Sequence, residues 1–155
     1  MSKSVKRVQR AAVDLGLSIE VKRMGASTRT AEDAANACGC EVARIVKSLI
    51  FTGEDSGDLV LLLVSGANRV DMDKASAAVG EPLARADAND VRARTGFAIG
   101  GVSPIGHLTA PKIWIDKTLM QFETVWAAAG APDAVFEITP AELVAATGAT
   151  PASVV

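Results

Sequence analysis

Cysteine, histidine, positive net charge and long apolar runs are all scarce in this chain, and each scarcity removes a class of protein. The two cysteines, Cys38 and Cys40, flank a single residue, Gly39. They are too close for a disulfide framework and too few, even with His107, to ligate zinc. Reduced thiols are the expectation. The one histidine, His107, sits in a loop without a serine or cysteine marked as its partner, so no independent nucleophilic triad is visible: neither Ser48 nor Ser103 has an evident base beside it. The longest clean apolar run, Leu59 to Val64, suits a buried strand and is far below the roughly 20 residues that span a bilayer. Lys3, Lys6, Arg7 and Arg10 precede no apolar core of signal-peptide length. A cytoplasmic protein without membrane contact is therefore expected. The net charge of −2 argues against a protein that grips DNA or RNA along its length. The charge is nevertheless uneven. Residues 1–47 hold nine Lys/Arg against five Asp/Glu, a balance of +4, and residues 48–155 hold seven against thirteen, a balance of −6.

What is present fits one globular domain over residues 1–155, large enough to bury roughly two thirds of its unfolded surface. Hydrophobic residues make up 49% and charged residues 22%, with no repeat. Val5, Val8, Ala12 and Leu15 recur at helical spacing before Gly16. Leu17 to Val21 alternates as a strand does. Thr30 precedes an acid three residues on, the pattern of an N-cap, for a helix that Gly39 ends. Ile45–Phe51 and Leu59–Val64 read as an antiparallel hairpin across the polar turn 53–58. Asp71 and Asp87 cap helices that end before Gly80 and Gly96. Residues 112–116, 124–128 and 134–138 read as strands, and Thr139-Pro140-Ala141-Glu142 opens a last helix closed by Gly148. This order predicts an α+β fold: a mixed, mostly antiparallel sheet curled into a partial barrel with short flanking helices.

The most informative segment is Thr95 to His107, with four glycines and a proline in thirteen residues. Glycine lets a ligand approach the main chain, and Pro104 fixes φ and holds Ser103 extended. The G-x-x-x-x-G spacing of Gly101 and Gly106 is not a P-loop, because His107 and Leu108 follow where Lys and Ser/Thr are required. Gly100-Gly101 is not a dinucleotide fingerprint either. A structural turn and a ligand-binding loop both fit. Lys47, in Ile45–Phe51, shares a face with Ile45, Leu49 and Phe51. A lysine among apolar residues either snorkels at a strand end or places a cation in a cleft.

In combination these residues resemble the YbaK/EbsC/ProX family of aminoacyl-tRNA deacylases, related to the editing domain inserted in some bacterial prolyl-tRNA synthetases. The resemblance runs from about Thr30 to Gly148. It rests on Thr30-Ala31-Glu32-Asp33-Ala34-Ala35, Ile45 to Phe51, Leu59 to Gly66, Thr95-Gly96, Gly100 to Gly106 and Ala128-Ala129-Gly130. Lys47 matches the family's functional lysine and Gly100 to Pro104 its G-x-x-x-P motif. The resemblance implies the same curled architecture and a stand-alone hydrolase for the ester of mischarged tRNA, with a small amino acid on tRNA(Pro) or a related tRNA as the expected substrate. It also implies contact with the tRNA acceptor end and with an aminoacyl-tRNA synthetase as partner.

For such chemistry the N–H groups of Gly100 and Gly101 are the candidates to stabilise the developing oxyanion. Lys47 either holds a phosphate or ribose oxygen or, with a depressed pKa, moves protons; positioning is favoured, since a base would need a shift of several units. Thr30, Ser103, Pro104 and Gly106 complete the expected substrate-binding set. Lys22, Arg23, Arg29 and Arg44 could guide phosphates, and Asp71 and Asp116 read as caps. No metal or other cofactor is called for. The competing reading is a non-catalytic module of the same fold that binds tRNA or a synthetase.

Overall fold

The hairpin at the centre of the molecule explains most of its layout. In the computed structural model, which describes residues 2–25, 28 and 30–155, β2 (Val46–Gly53) pairs antiparallel with β3 (Leu59–Ser65). Every residue of β3 is buried, as its unbroken Leu/Val run requires of a strand covered on both faces. Residues of alternate parity divide between two cores: Leu59, Leu61 and Leu63 join one cluster, Val60, Leu62 and Val64 the other.

Around this hairpin the five-stranded sheet runs in the order β4-β2-β3-β5-β8, with β4 at Leu83–Arg85, β5 at Lys112–Asp116 and β8 at Thr150–Ala152. β5 joins β3 in parallel, and β8 joins β5 in parallel. A second, three-stranded antiparallel sheet has the order β1-β7-β6, from Lys22–Arg23, Ala134–Ile138 and Val125–Ala128. Helix α1 (Lys3–Asp14) buries Val5, Val8 and Ala12 in the core between the sheets. Helix α2 (Ala31–Cys38) covers Ile45, Trp126 and Val135. Helices α3 (Met72–Val79), α4 (Ala88–Thr95) and α5 (Pro140–Thr147) complete the fold.

The expected caps form. Thr30, Asp71, Asp87 and Thr139 accept N–H groups from the first turns of their helices, and Gly39, Gly80, Gly96 and Gly148 end them in the left-handed region. Two expectations are corrected. Leu17, Ile19 and Val21 do bury against the core, but the strand there is only Lys22–Arg23. The strands also do not make one sheet curled into a partial barrel. They divide between two sheets joined, among the described residues, by one isolated parallel bridge, Ile45–Trp126. A barrel would have to close along the outer edge of β2, and there β4 pairs only with Phe51–Gly53. The stretch between that pairing and the bridge opens instead onto cavities.

Candidate functional site

The glycine segment is a closed loop hung from α4. Leu108 N–H donates to Thr95 O (3.0 Å) and Thr109 N–H to Arg94 O (2.8 Å), closing its base. Thr95 Oγ1, fully buried, donates to Val91 O and accepts from Phe97 N–H. Arg7 of α1 ties the two ends together: Nε donates to Gly106 O (2.8 Å) and a terminal nitrogen to Gly96 O (2.7 Å), with the guanidinium over the Phe97 ring at 4.6 Å. Nothing in the sequence pattern marked Arg7, because its partners lie 89 and 99 residues away.

The tip of this loop and the outer edge of β2 face each other across a cavity of about 290 Å³ lined by Lys47, Gly100 and Thr30 together with Trp126, Ala34 and Val135. Gly100 has φ 96°, and its N–H has no hydrogen-bond acceptor among the described residues. Lys47 Nζ donates to the carbonyl of Asn68. Asn68 is itself fixed, since Nδ2 donates to Asp116 Oδ2 (2.9 Å) and Thr118 Oγ1 (3.0 Å). Burial lowers the pKa of Lys47, and the Arg69 charge lowers it further, against the opposing charges of Glu32 and Asp116. Thr30 accepts from Asp33 N–H as the cap of α2 (3.0 Å), which leaves its hydroxyl proton to donate.

A cation, a main-chain donor and a cap hydroxyl therefore converge on one recess, and the family model for the aminoacyl-tRNA editing domain matches residues 26–146. The chain belongs to the aminoacyl-tRNA editing family. Its sequence is 50% identical to a solved structure provisionally described as a trans-editing enzyme for prolyl tRNA synthetase, with a TM-score of 0.93 over 99% of this chain and 98% of that one. It is 38% identical over 125 residues to the uncharacterised protein YwhH of Bacillus subtilis, covering 80% of this chain and 78% of that protein. Over 119 residues it is 28% identical to an Enterococcus faecalis protein provisionally named Cys-tRNA(Pro)/Cys-tRNA(Cys) deacylase EbsC, covering 76% and 72%.

Within this editing domain the other expected site residues stand behind the cavity wall. Gly101 does not have a positive φ. Its N–H donates to Ala98 O (3.0 Å), so that group already closes a turn. A Cβ at Gly101 would lie 3.1 Å from Ala131 Cα, so glycine is required there by close packing. Ser103 is fully buried, and its Oγ accepts from Ile105 N–H (3.2 Å). Pro104 is buried beside it. Gly106 packs on α1, 3.4 Å from Arg7 O and Val8 Cα, measured from the position a Cβ would take. These four residues shape the loop from within.

His107 stacks edge-on against Phe97, with ring centroids 5.2 Å apart. Its ring nitrogens are buried without a hydrogen-bond partner among the described residues. Burial lowers its pKa to about 4, helped by Arg7, and a main-chain group of Ser103 opposes the shift without forming a bond of ordinary geometry. Burial pushes the Cys38 thiol up to about 11 and raises Cys40 as well, so neither is a reactive thiolate. Asp116 caps the 3-10 turn 117–121, accepting from Thr118 N–H (2.9 Å), and Asp71 caps α3.

Of the expected phosphate guides, Lys22 lies over the Trp126 ring at 5.3 Å, Arg23 pairs with Asp133 at 3.0 Å, and Arg44 donates to Thr124 O. Arg29 is outside the described residues. Among the described residues no cluster of three or more His, Cys, Asp or Glu is placed to hold a metal ion, and no helix is long and apolar enough to cross a membrane.

Proposed function

We propose that this editing domain works as a single stand-alone unit over residues 1–155, hydrolysing the ester of a small amino acid mischarged onto tRNA(Pro) or a related tRNA. The observation that carries the reading is that Lys47 and Gly100 line one cavity. Attack of water on the ester carbonyl develops negative charge on its oxygen, and a fixed N–H donor stabilises that charge without reorganising. The Gly100 N–H is the donor in this scheme. Lys47, as an ammonium, has three protons; one is held by Asn68 O, and the others are directed to a ribose or phosphate oxygen. Its fixed partner favours this positioning role over proton transfer. The substrate's own 2′-hydroxyl or a water supplies the remaining proton handling.

Cavity size supports a small side chain. Synthetases separate amino acids that differ by one methylene by only about 1–3 kcal/mol, so a second hydrolytic pocket that admits small misfits raises fidelity. The recess of about 290 Å³ between Ala34, Trp126 and Val135 has walls suited to that selection. A prolyl-tRNA synthetase as partner follows from the same reading, supported by the description of the solved relative, and the cytoplasm is the compartment proposed with it.

The experiment is a panel of mischarged tRNAs incubated with the wild type and with Lys47→Ala. Wild-type turnover on at least one small aminoacyl-tRNA, reduced about a hundredfold or more in the variant, is expected for a lost positioning group. Saturable tRNA binding without turnover in the wild type would replace the hydrolase with a non-catalytic tRNA-binding module.

A further inference from the structure

The outer edge of β2 is open around Ser48, and the openness follows from the ladder. Gly66 N–H donates to Ile45 O (2.7 Å) and Gly53 N–H to Asp58 O (2.9 Å). Odd-numbered residues of β2 therefore turn their main-chain groups toward β3, and even-numbered residues turn theirs away. On the far side, β4 covers Phe51–Gly53 and the Trp126 bridge covers Ile45. Between these two, Ser48 points its N–H and C=O outward with no strand beside it. Its side-chain oxygen is also buried without a partner among the described residues. Unpaired buried polar groups are costly, and such groups in native proteins commonly await a water or a ligand.

Ser48 marks the junction of two cavities. The first is the recess of about 290 Å³ already described; the second, of about 810 Å³, shares Ser48, Leu49, Ile99, Gly100 and Val102 with it and continues to Phe51, Arg85 and Ala88. Phe51 and Arg85 are direct cross-strand neighbours. Arg85 is exposed, and its guanidinium makes no hydrogen bond or ion pair with a described residue. The nearby Asp87 carboxylate is occupied as the cap of α4, accepting from Asp90 N–H (3.0 Å). An aromatic ring beside an uncommitted guanidinium offers stacking for a base and charge for a phosphate, the combination that binds single-stranded nucleic acid ends.

We propose that the larger cavity is a nucleoside subsite: the 3′-terminal adenosine of the tRNA lies against Phe51 and Arg85, its ester crosses the open edge at Ser48, and the aminoacyl group enters the smaller cavity. The inference rests on the deacylase reading. Size assigns the chambers, since the nucleoside is the larger of the two groups. At the crossing, Ser48 presents one donor and one acceptor to the ribose hydroxyl and the α-ammonium.

The test uses Ala88→Trp, which fills the larger cavity from an exposed helix position, and Arg85→Ala. Both are checked for folding by thermal melting, and kcat and KM are measured on mischarged tRNA, with the dinucleotide cytidylyl-adenosine as competitor. Each variant is expected to raise KM at least about tenfold, the worth of one stacking or charge contact, and to weaken competition by the dinucleotide while the ranking of aminoacyl groups stays unchanged. An active wild type whose KM and dinucleotide inhibition survive in both folded variants would overturn the subsite alone. A wild type inactive on every mischarged tRNA would overturn the deacylase reading, and dinucleotide titration of wild type against Ala88→Trp would still decide the subsite.

Discussion

Gly100 and Gly101 are adjacent and chemically identical, yet the structure asks different things of them. Gly100 is needed for its positive φ and has open space where a side chain would project; Gly101 has ordinary φ and no room, with the Ala131 backbone against it. For Gly101→Val the expected origin of damage is therefore a clash that pushes the loop off Ala131. Overpacking of this kind costs about 1–3 kcal/mol, so a thermal melt should show a lowered Tm together with reduced turnover. An unchanged Tm would contradict the contact. The sequence singles out this pair as backbone-shaping, because two glycines precede a proline. It does not show which one has an N–H without an acceptor among the described residues, since that depends on Ala98 and on the turn at Ala131. Lys47 was legible as a cation out of place among apolar neighbours. Its partner Asn68 was not, because a main-chain carbonyl leaves no trace in residue type.

At the scale of elements, local signals are legible in the sequence and distant ones are not. Four side-chain caps and four left-handed glycine ends were legible because each is decided within a few residues. The β2–β3 hairpin followed from two apolar runs about one turn. The separation into two sheets was hidden, because it turns on where β4 stops pairing along β2, and the short strands β4 and β8 carry little pattern. The attachment of α1 to the glycine loop was equally hidden. Arg7 makes two hydrogen bonds to loop carbonyls and covers Phe97. Arg7→Ala is expected to destabilise the fold by about 2–3 kcal/mol, from two charge-assisted bonds and a cation–π contact that are only partly exposed. Urea unfolding would measure it. Because the loop tip carries Gly100, kcat should fall as well, and Arg7→Lys, a point charge without the planar fork, should recover only part of the loss.

Over the whole molecule, one buried ring should make stability depend on acidity. His107 titrates near 6.5 when unfolded and at about 4 in the fold, chiefly because burial disfavours its charged form. The unfolded chain therefore takes up a proton first as pH falls. The associated stability is fully present above pH 6.5, declines between 6.5 and about 4, and amounts to about 3 kcal/mol over that window. Denaturant melts at pH 7 and pH 4 should reveal the loss, and His107→Phe should reduce it; an identical pH dependence in that variant would assign the effect to other groups. The tie between Arg7 and Gly106 has a temporal consequence too. During synthesis the helix that anchors the recess emerges about a hundred residues before the segment it must hold, and contacts of such long sequence separation form late. A ribosome making this protein thus extrudes most of the polypeptide before the hollow between Lys47 and Gly100 can be completed, since its walls reach as far along the chain as Val135.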